Sequence, residues 1–272
     1  MHAEIAADLH IHTRASDGVM TLTDVVETAG EADLQAVAVT DHDRLHPELD
    51  GRISSIDAIE VIHGIEVRVE VAGTRVDLLG YGVRPTAELE ELLGTVQQSR
   101  IDRATRMIDS LESALGLSVD LTPSVDIGRP EIAAAVVDAT EQYSSERVFE
   151  ELIGEGCPHY VRRWVPDATT AIDALHAAGA LVGLAHPYRY AELDTATAIV
   201  DELDAIEAYY PYRRRSGGGT DPARIEQIAA TAGILVTGGS DAHDRVLGRA
   251  GLDAGRYHSF RDALEEAGRR TA

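Results

Sequence analysis

Apolar positions in this chain recur in two rhythms that alternate along its length. Residues 5–9 form a short apolar run that reads as a strand. Residues 22–32 carry apolar side chains at helical spacing, with Thr21 placed as the N-cap. Residues 34–40 and 59–67 read as buried strands, and the segment 69–76 as a hairpin turning near Gly73. The character then changes. Residues 87–115 keep helical spacing up to Gly116, a helix opens at Pro130 and runs to residue 139, and 144–154 offers a third. Strand-helix alternation resumes afterwards, with helices at 167–178, 193–203, 222–232 and 259–267 and strands at 181–185, 205–210 and 234–238.

Repeated strand–helix units predict an α/β fold with a parallel sheet, open or closed into a barrel. The organisation expected is a barrel begun by residues 1–84, interrupted by a helical insertion at 85–165, and completed by 166–272. No internal repeat or low-complexity segment breaks this scheme.

Composition narrows the class. A chain of 272 residues with 44% hydrophobic content can bury a full core. No apolar run reaches the roughly 18 residues needed to span a bilayer, and no signal peptide opens the sequence. The single Cys157 excludes an internal disulfide framework, so a cytoplasmic chain without a membrane partner is expected. The formal net charge is −23, and with no Lys present all 24 basic residues are Arg. The acids are dispersed, which reads as the hydrated surface of a halophilic protein and not as a dock for a basic partner. Such a surface argues against stable duplex DNA binding. Salt would screen the repulsion enough to admit a small anionic substrate.

The candidate chemistry sits where strands end. His10 and His12 follow the first strand, Asp41 and His42 the second, and Glu66 the third. The resumed sheet adds His186, Glu207, and Asp241 with His243. Active sites of α/β barrels are built on this C-terminal rim. Imidazole and carboxylate together form the ligand set of Zn, Mn and Fe. His10 and His12 are spaced by two, so both project to one side of the strand. Asp17 follows within reach, Glu66 suits a bridging role, and Asp41 is expected to orient an imidazole. Arg129 before Pro130 suits phosphate at a helix start. Arg213, Arg214 and Arg215 follow Tyr209, Tyr210 and Tyr212, a phosphate patch beside aromatic faces on which a base could stack. His2, His46, His63, His159, His176 and His258 read as structural or surface residues.

The set His10-Ile11-His12, Asp17-Gly18, Thr40-Asp41-His42, Gly64-Ile65-Glu66, Ala185-His186-Pro187 and Gly239-Ser240-Asp241-Ala242-His243 resembles the PHP (polymerase and histidinol phosphatase) superfamily. The resemblance covers nearly the whole chain. Its helical insertion, opened by Arg129-Pro130, is similar to that of nucleotide phosphoesterases: 3′,5′-nucleotide bisphosphate phosphatases and 5′-to-3′ exonucleases acting on short oligonucleotides. The resemblance implies a distorted (β/α)7 barrel with three divalent metals, Mn, Zn, Fe or Mg, at the C-terminal rim. In that scheme His10, His12, Glu66 and Asp241 hold the first metal, Glu66 and His186 the second, and Asp17, His42 and His243 the third.

Two positions depart from the family. Asp77 stands where a His ligand is usual, which favours harder ions. Glu131 stands where a His is usual after Arg-Pro, and a carboxylate there is expected to repel a substrate phosphate. The implied activity is metal-dependent hydrolysis of phosphate esters of nucleotides or short oligonucleotides. His10, His12, Glu66, His186, Asp241 and His243 would be its catalytic set, with Arg129, Arg213 and Arg214 on the substrate phosphate. The competing readings are a histidinol-phosphate-type phosphatase and a metal-binding domain without catalysis. Oligomeric state stays open.

Overall fold

The computed structural model describes residues 4–212 and 220–270. The chain divides into two compact units, Met1–Leu92 with Pro166–Ala272, and Leu93–Val165. The division falls inside a long helix, later than the composition change at residue 85.

In the first unit the strands are β1 (Ala7–Ile11), β2 (Ala36–Val39), β3 (Ile53–Ile56), β4 (Ile59–Val71), β5 (Thr74–Tyr81), β6 (Leu181–Leu184), β7 (Ala205–Tyr209) and β8 (Leu235–Gly238). They form one sheet in the order β1-β2-β4-β5-β6-β7-β8, with β3 pairing β4 off this path. The helices are α1 (Leu22–Glu31), α2 (Ala87–Leu115), α3 (Arg129–Ala139), α4 (Ser145–Val148), α5 (Ala168–Ala177), α6 (Leu193–Ala196), α7 (Pro222–Ala232) and α8 (Ala254–Arg270). Thr21 caps α1 as expected: its hydroxyl accepts from Asp24 N–H while the Asp24 carboxylate accepts from Thr21 N–H.

The sheet is nearly closed into a barrel. β1 meets the end of β8 through a parallel bridge between Ile11 and Ala242, and His12 N–H donates to Ala242 C=O at 2.9 Å. Asp8 reinforces this seam. Its buried carboxylate accepts from Ser240 N–H (2.8 Å), Ser240 Oγ (2.6 Å) and Gly248 N–H (2.9 Å). Burial of that carboxyl pushes its pKa up in spite of these bonds.

The barrel is not wholly parallel. β1-β2-β4 and β6-β7-β8 run parallel, but β5 is antiparallel to both β4 and β6. The cause is the tight hairpin. Ala72 (φ +47°) and Gly73 (φ +84°) form a two-residue loop with both central residues left-handed, which suits the twist of an antiparallel ladder. The expected strand at 59–67 and the first arm of the hairpin are therefore one 13-residue strand. Both sheet faces are covered. Ala36 and Ala38 pack with Tyr257, Phe260 and Leu264 of α8, while Val37 and Val39 pack with Val25, Val26 and Ala29 of α1. This double burial explains the unbroken apolar run of β2.

The second unit is helical and has its own core. Met107, Ile108 and Leu111 of α2 pack with Ile132 and Val136 of α3, and with Val148, Leu152 and Ile153. Gly116 ends α2 at φ +63°.

Candidate metal centre

All nine of the expected ligand positions lie in the first unit, and their side-chain atoms converge at the strand ends. They fall into three groups: His12, Asp17, His42 and His243; His10, His12, Glu66 and Asp241; and Glu66, Asp77 and His186. His12 Nε2 lies 3.1 Å from Asp241 Oδ1 and 3.4 Å from Glu66 Oε2. His10 Nε2 lies 3.5 Å from both of those carboxylates. His243 Nε2 approaches Asp17 Oδ1 at 3.3 Å, and His42 Nε2 approaches Asp17 Oδ2 at 3.7 Å. His186 Nε2 stands 3.0 Å from Glu66 Oε1.

Burial grades across the cluster. His10, His12, Glu66 and His186 are buried, whereas the side chains of His42, His243 and Asp17 are 30%, 39% and 56% exposed. The outer group is therefore the side from which a solute can arrive. The backbone at two of these positions is also unusual. His186 (φ +29°) and Asp241 (φ +50°) both sit in the left-handed region, a strain that persists only where the surroundings enforce it.

The donor atoms present fit bound cations in the first two groups. His10 Nε2, both ring nitrogens of His12, and Glu66 Oε2 are buried with no hydrogen-bond partner. Orphaned polar atoms at such depth are costly unless something else satisfies them. Here they face one another with mixed N and O chemistry, which is the donor set of a divalent transition ion.

The electrostatics agree. Burial alone would raise the Glu66 carboxyl, but His42 and His10 hold it well below the usual carboxylate range. Asp241 and Asp17 are lowered as well, against burial, by hydrogen bonds and charge from His12, His10, His243 and His42. Burial acts to lower His42, yet the carboxylates of Glu66, Asp17 and Asp43 push it up to about 9. Without a cation among them, His10, His42 and His243 are pushed up by the carboxylates around them, whereas burial pushes His12 down.

Several supporting residues have different roles from those expected. Asp41 does not orient an imidazole. Its carboxylate accepts from Thr13 N–H (2.8 Å), Thr13 Oγ1 (2.7 Å) and Ser16 Oγ (2.6 Å), so it braces the loop that carries Asp17. The imidazole is oriented by Glu207, whose Oε1 lies 3.2 Å from His10 Nδ1 and whose Oε2 accepts from His186 N–H at 2.7 Å. Its signal in the sequence was only its place at a strand end. Asp77 joins the third group, but both of its oxygens accept from Arg68, at 2.7 Å each. Arg189 and Tyr210 both donate to Asp241 Oδ2 at 2.8 Å; Arg189 did not stand out in the sequence, and Tyr210 did so only as an aromatic face.

The phosphate candidates fare differently. Arg129 belongs to the second unit, where its guanidinium lies over the rings of Phe149 and Tyr160. Glu131 in the same unit turns back to accept from Gly128 N–H at 2.8 Å. It serves as a helix cap at the start of α3. Arg213, Arg214 and Arg215 lie outside the described residues.

A nearly closed α/β barrel whose rim gathers imidazoles and carboxylates defines the class: a barrel metalloenzyme. The PHP domain family matches residues 8–154, and the chain belongs to that family. Among its relatives, a 3′,5′-nucleoside bisphosphate phosphatase of Chromobacterium violaceum is 27% identical over 91% of this chain and 90% of that protein. The 5′-3′ exoribonuclease Rnm of Escherichia coli is 30% identical over 67% of this chain and 66% of that protein. The solved structure of an amidohydrolase from Chromobacterium violaceum, with bound sulfate and no metal, superposes with a TM-score of 0.70 at 25% identity, covering 96% of both chains.

Proposed function

We propose that this chain hydrolyses phosphate esters of nucleotides or short oligonucleotides with divalent ions held on the barrel rim. The family makes the chain a metal-dependent phosphoric ester hydrolase. The observation that carries the ligand set is the convergence of orphaned, buried donor atoms on His10, His12 and Glu66. One ion is assigned to His10, His12, Glu66 and Asp241, and a second to Asp17, His42 and His243, with His12 between the groups.

Ions bound there would supply Lewis-acid polarisation of a phosphoryl oxygen and lower the pKa of water toward ~7. The chain's own residues do the rest. Glu207 holds His10 by its Nδ1 and so aims Nε2 at the rim. Arg189, half exposed and fixed on Asp241, presents guanidinium N–H groups to a phosphate arriving from the open side. Next to it the ring of Tyr212 packs against those of Tyr188 and Tyr210, with Tyr210 and Tyr212 centroids 4.5 Å apart. That aromatic group suits the face of a nucleobase. It favours a nucleotide over a small aliphatic phosphate.

A substrate panel tests this assignment. A nucleoside 3′,5′-bisphosphate, a short oligonucleotide and histidinol phosphate are compared in Mn²⁺ and KCl. One of the first two should exceed histidinol phosphate in kcat/KM by at least about tenfold, the scale on which pocket contacts discriminate. A preference for histidinol phosphate would overturn the substrate class.

A further inference from the structure

We infer that Arg68 is the resident cation of the Glu66–Asp77–His186 corner, so the chain binds two divalent ions although its rim carries three ligand groups. The inference rests on the metal centre proposed above and concerns only its third corner.

The placement is fixed by the hairpin. The two-residue loop at Ala72-Gly73 sets Arg68 directly opposite Asp77 on the neighbouring strand. Glu66 lies two residues before Arg68 on β4, so both side chains leave the strand on the same face. Arg68 Nε and Nη2 then meet Asp77 Oδ1 and Oδ2 at 2.7 Å each, a fork-on-fork pair that uses both carboxylate oxygens. A guanidinium keeps its charge at any working pH. A divalent ion liganded by Asp77 would have to displace that pair or share the carboxylate with a positive group at contact distance.

The other members of the corner are committed too. Tyr190 Oη accepts from Asp77 N–H at 2.7 Å and lies 3.2 Å from His186 Nδ1. His186 Nε2 lies 3.0 Å from Glu66 Oε1, so both ring nitrogens of His186 already face polar partners. The contrast with the other two groups is direct. Orphaned buried donors of the rim sit on His10, His12 and Glu66 Oε2, and among the described residues neither Asp77 nor His186 contributes one. Where two groups are incomplete without a cation, this corner already contains one.

The test is metal stoichiometry, read without reference to turnover. The protein is stripped with chelator, reloaded with excess Mn²⁺, freed of unbound metal and subjected to elemental analysis. The wild type should hold about two ions per chain, and Arg68→Met about three, because Asp77 is released as a ligand. The double variant Arg68→Met/Asp77→Asn should return to about two. Three ions in the wild type would overturn the inference and leave the metal-centre reading standing. Two ions in a folded Arg68→Met would also overturn it, since the arginine would not be what excludes the third. A wild type that binds none would remove the metal centre itself.

Discussion

His10 carries its imidazole between two buried carboxylates, with Nδ1 toward Glu207 at 3.2 Å and Nε2 toward Glu66 at 3.5 Å. A group that fixes the remote nitrogen of a ligating histidine typically changes metal affinity 10–100-fold when lost. Glu207→Gln should therefore weaken Mn²⁺ binding by about that factor in a calorimetric titration, with the fold retained. Equal affinity in the variant would mean that Glu207 only fills space.

His63 shows the opposite use of a histidine. It is buried away from the ligand cluster. Burial, helped by the charge of His46, pushes it down to about 4. A histidine depressed in the folded state is protonated first in the unfolded chain. Its contribution to stability is intact above the unfolded value near ~6.5 and is lost as pH falls from there toward 4. His63→Leu should thus lose less thermal stability than the wild type between pH 6.5 and 4.5. Parallel losses in both proteins would remove His63 as a source of the acid sensitivity.

At the scale of elements, close approach decides what can change. A Cβ on Gly239 would lie 2.3 Å from His10 Cβ and 2.4 Å from His10 N, where β1 and the end of β8 meet. The methyl group must push the strand that carries His10 and His12. Gly94, inside α2, has nothing within 4 Å of the same position. Gly239→Ala should destabilise the protein by about 1–3 kcal/mol, the usual cost of overpacking, and impair Mn²⁺ binding. Gly94→Ala should stabilise it by up to about 1 kcal/mol, and paired thermal melts with metal titrations compare the two. A tolerated Gly239→Ala would contradict the tight seam.

Most elements could be read from the sequence because their signals are local. Thr21 and Asp24 announce the start of α1, Gly116 the end of α2, and Ala72-Gly73 the turn between β4 and β5. What escaped was non-local. β3 is a four-residue strand, Ile-Ser-Ser-Ile, that exists through its pairing with β4. The 193–203 segment splits into the short α6 and a 3₁₀ turn at Thr197–Glu202. The antiparallel setting of β5 against β6 could not be read at all, because the chain between them passes through the whole helical insertion. The Arg68–Asp77 pair stood closer to hand. Once the loop is known to hold two residues, Val71 pairs with Thr74 and counting back places Arg68 opposite Asp77.

At the scale of the molecule, the strand-end histidines and carboxylates were legible because a barrel brings successive strand ends to one rim. Their partners were not, since Glu207, Arg189 and Tyr210 acquire roles only through contacts across the sheet. The charge of −23 acts on the molecule as a whole. Raising KCl from ~0.1 to ~1 M shortens the screening length from about 10 to about 3 Å and relieves that self-repulsion. The melting temperature should rise across this range, and a flat or falling curve would contradict a salt-adapted surface.

The most direct measurement is phosphate release from a nucleoside 3′,5′-bisphosphate by protein stripped of metal and then resupplied with Mn²⁺, with His12→Ala alongside. His12 is the residue common to the two groups assigned an ion. The account predicts no release after chelation, recovery on addition of Mn²⁺, and no recovery in folded His12→Ala. Undiminished release by the chelated protein, or full activity in His12→Ala, would contradict it.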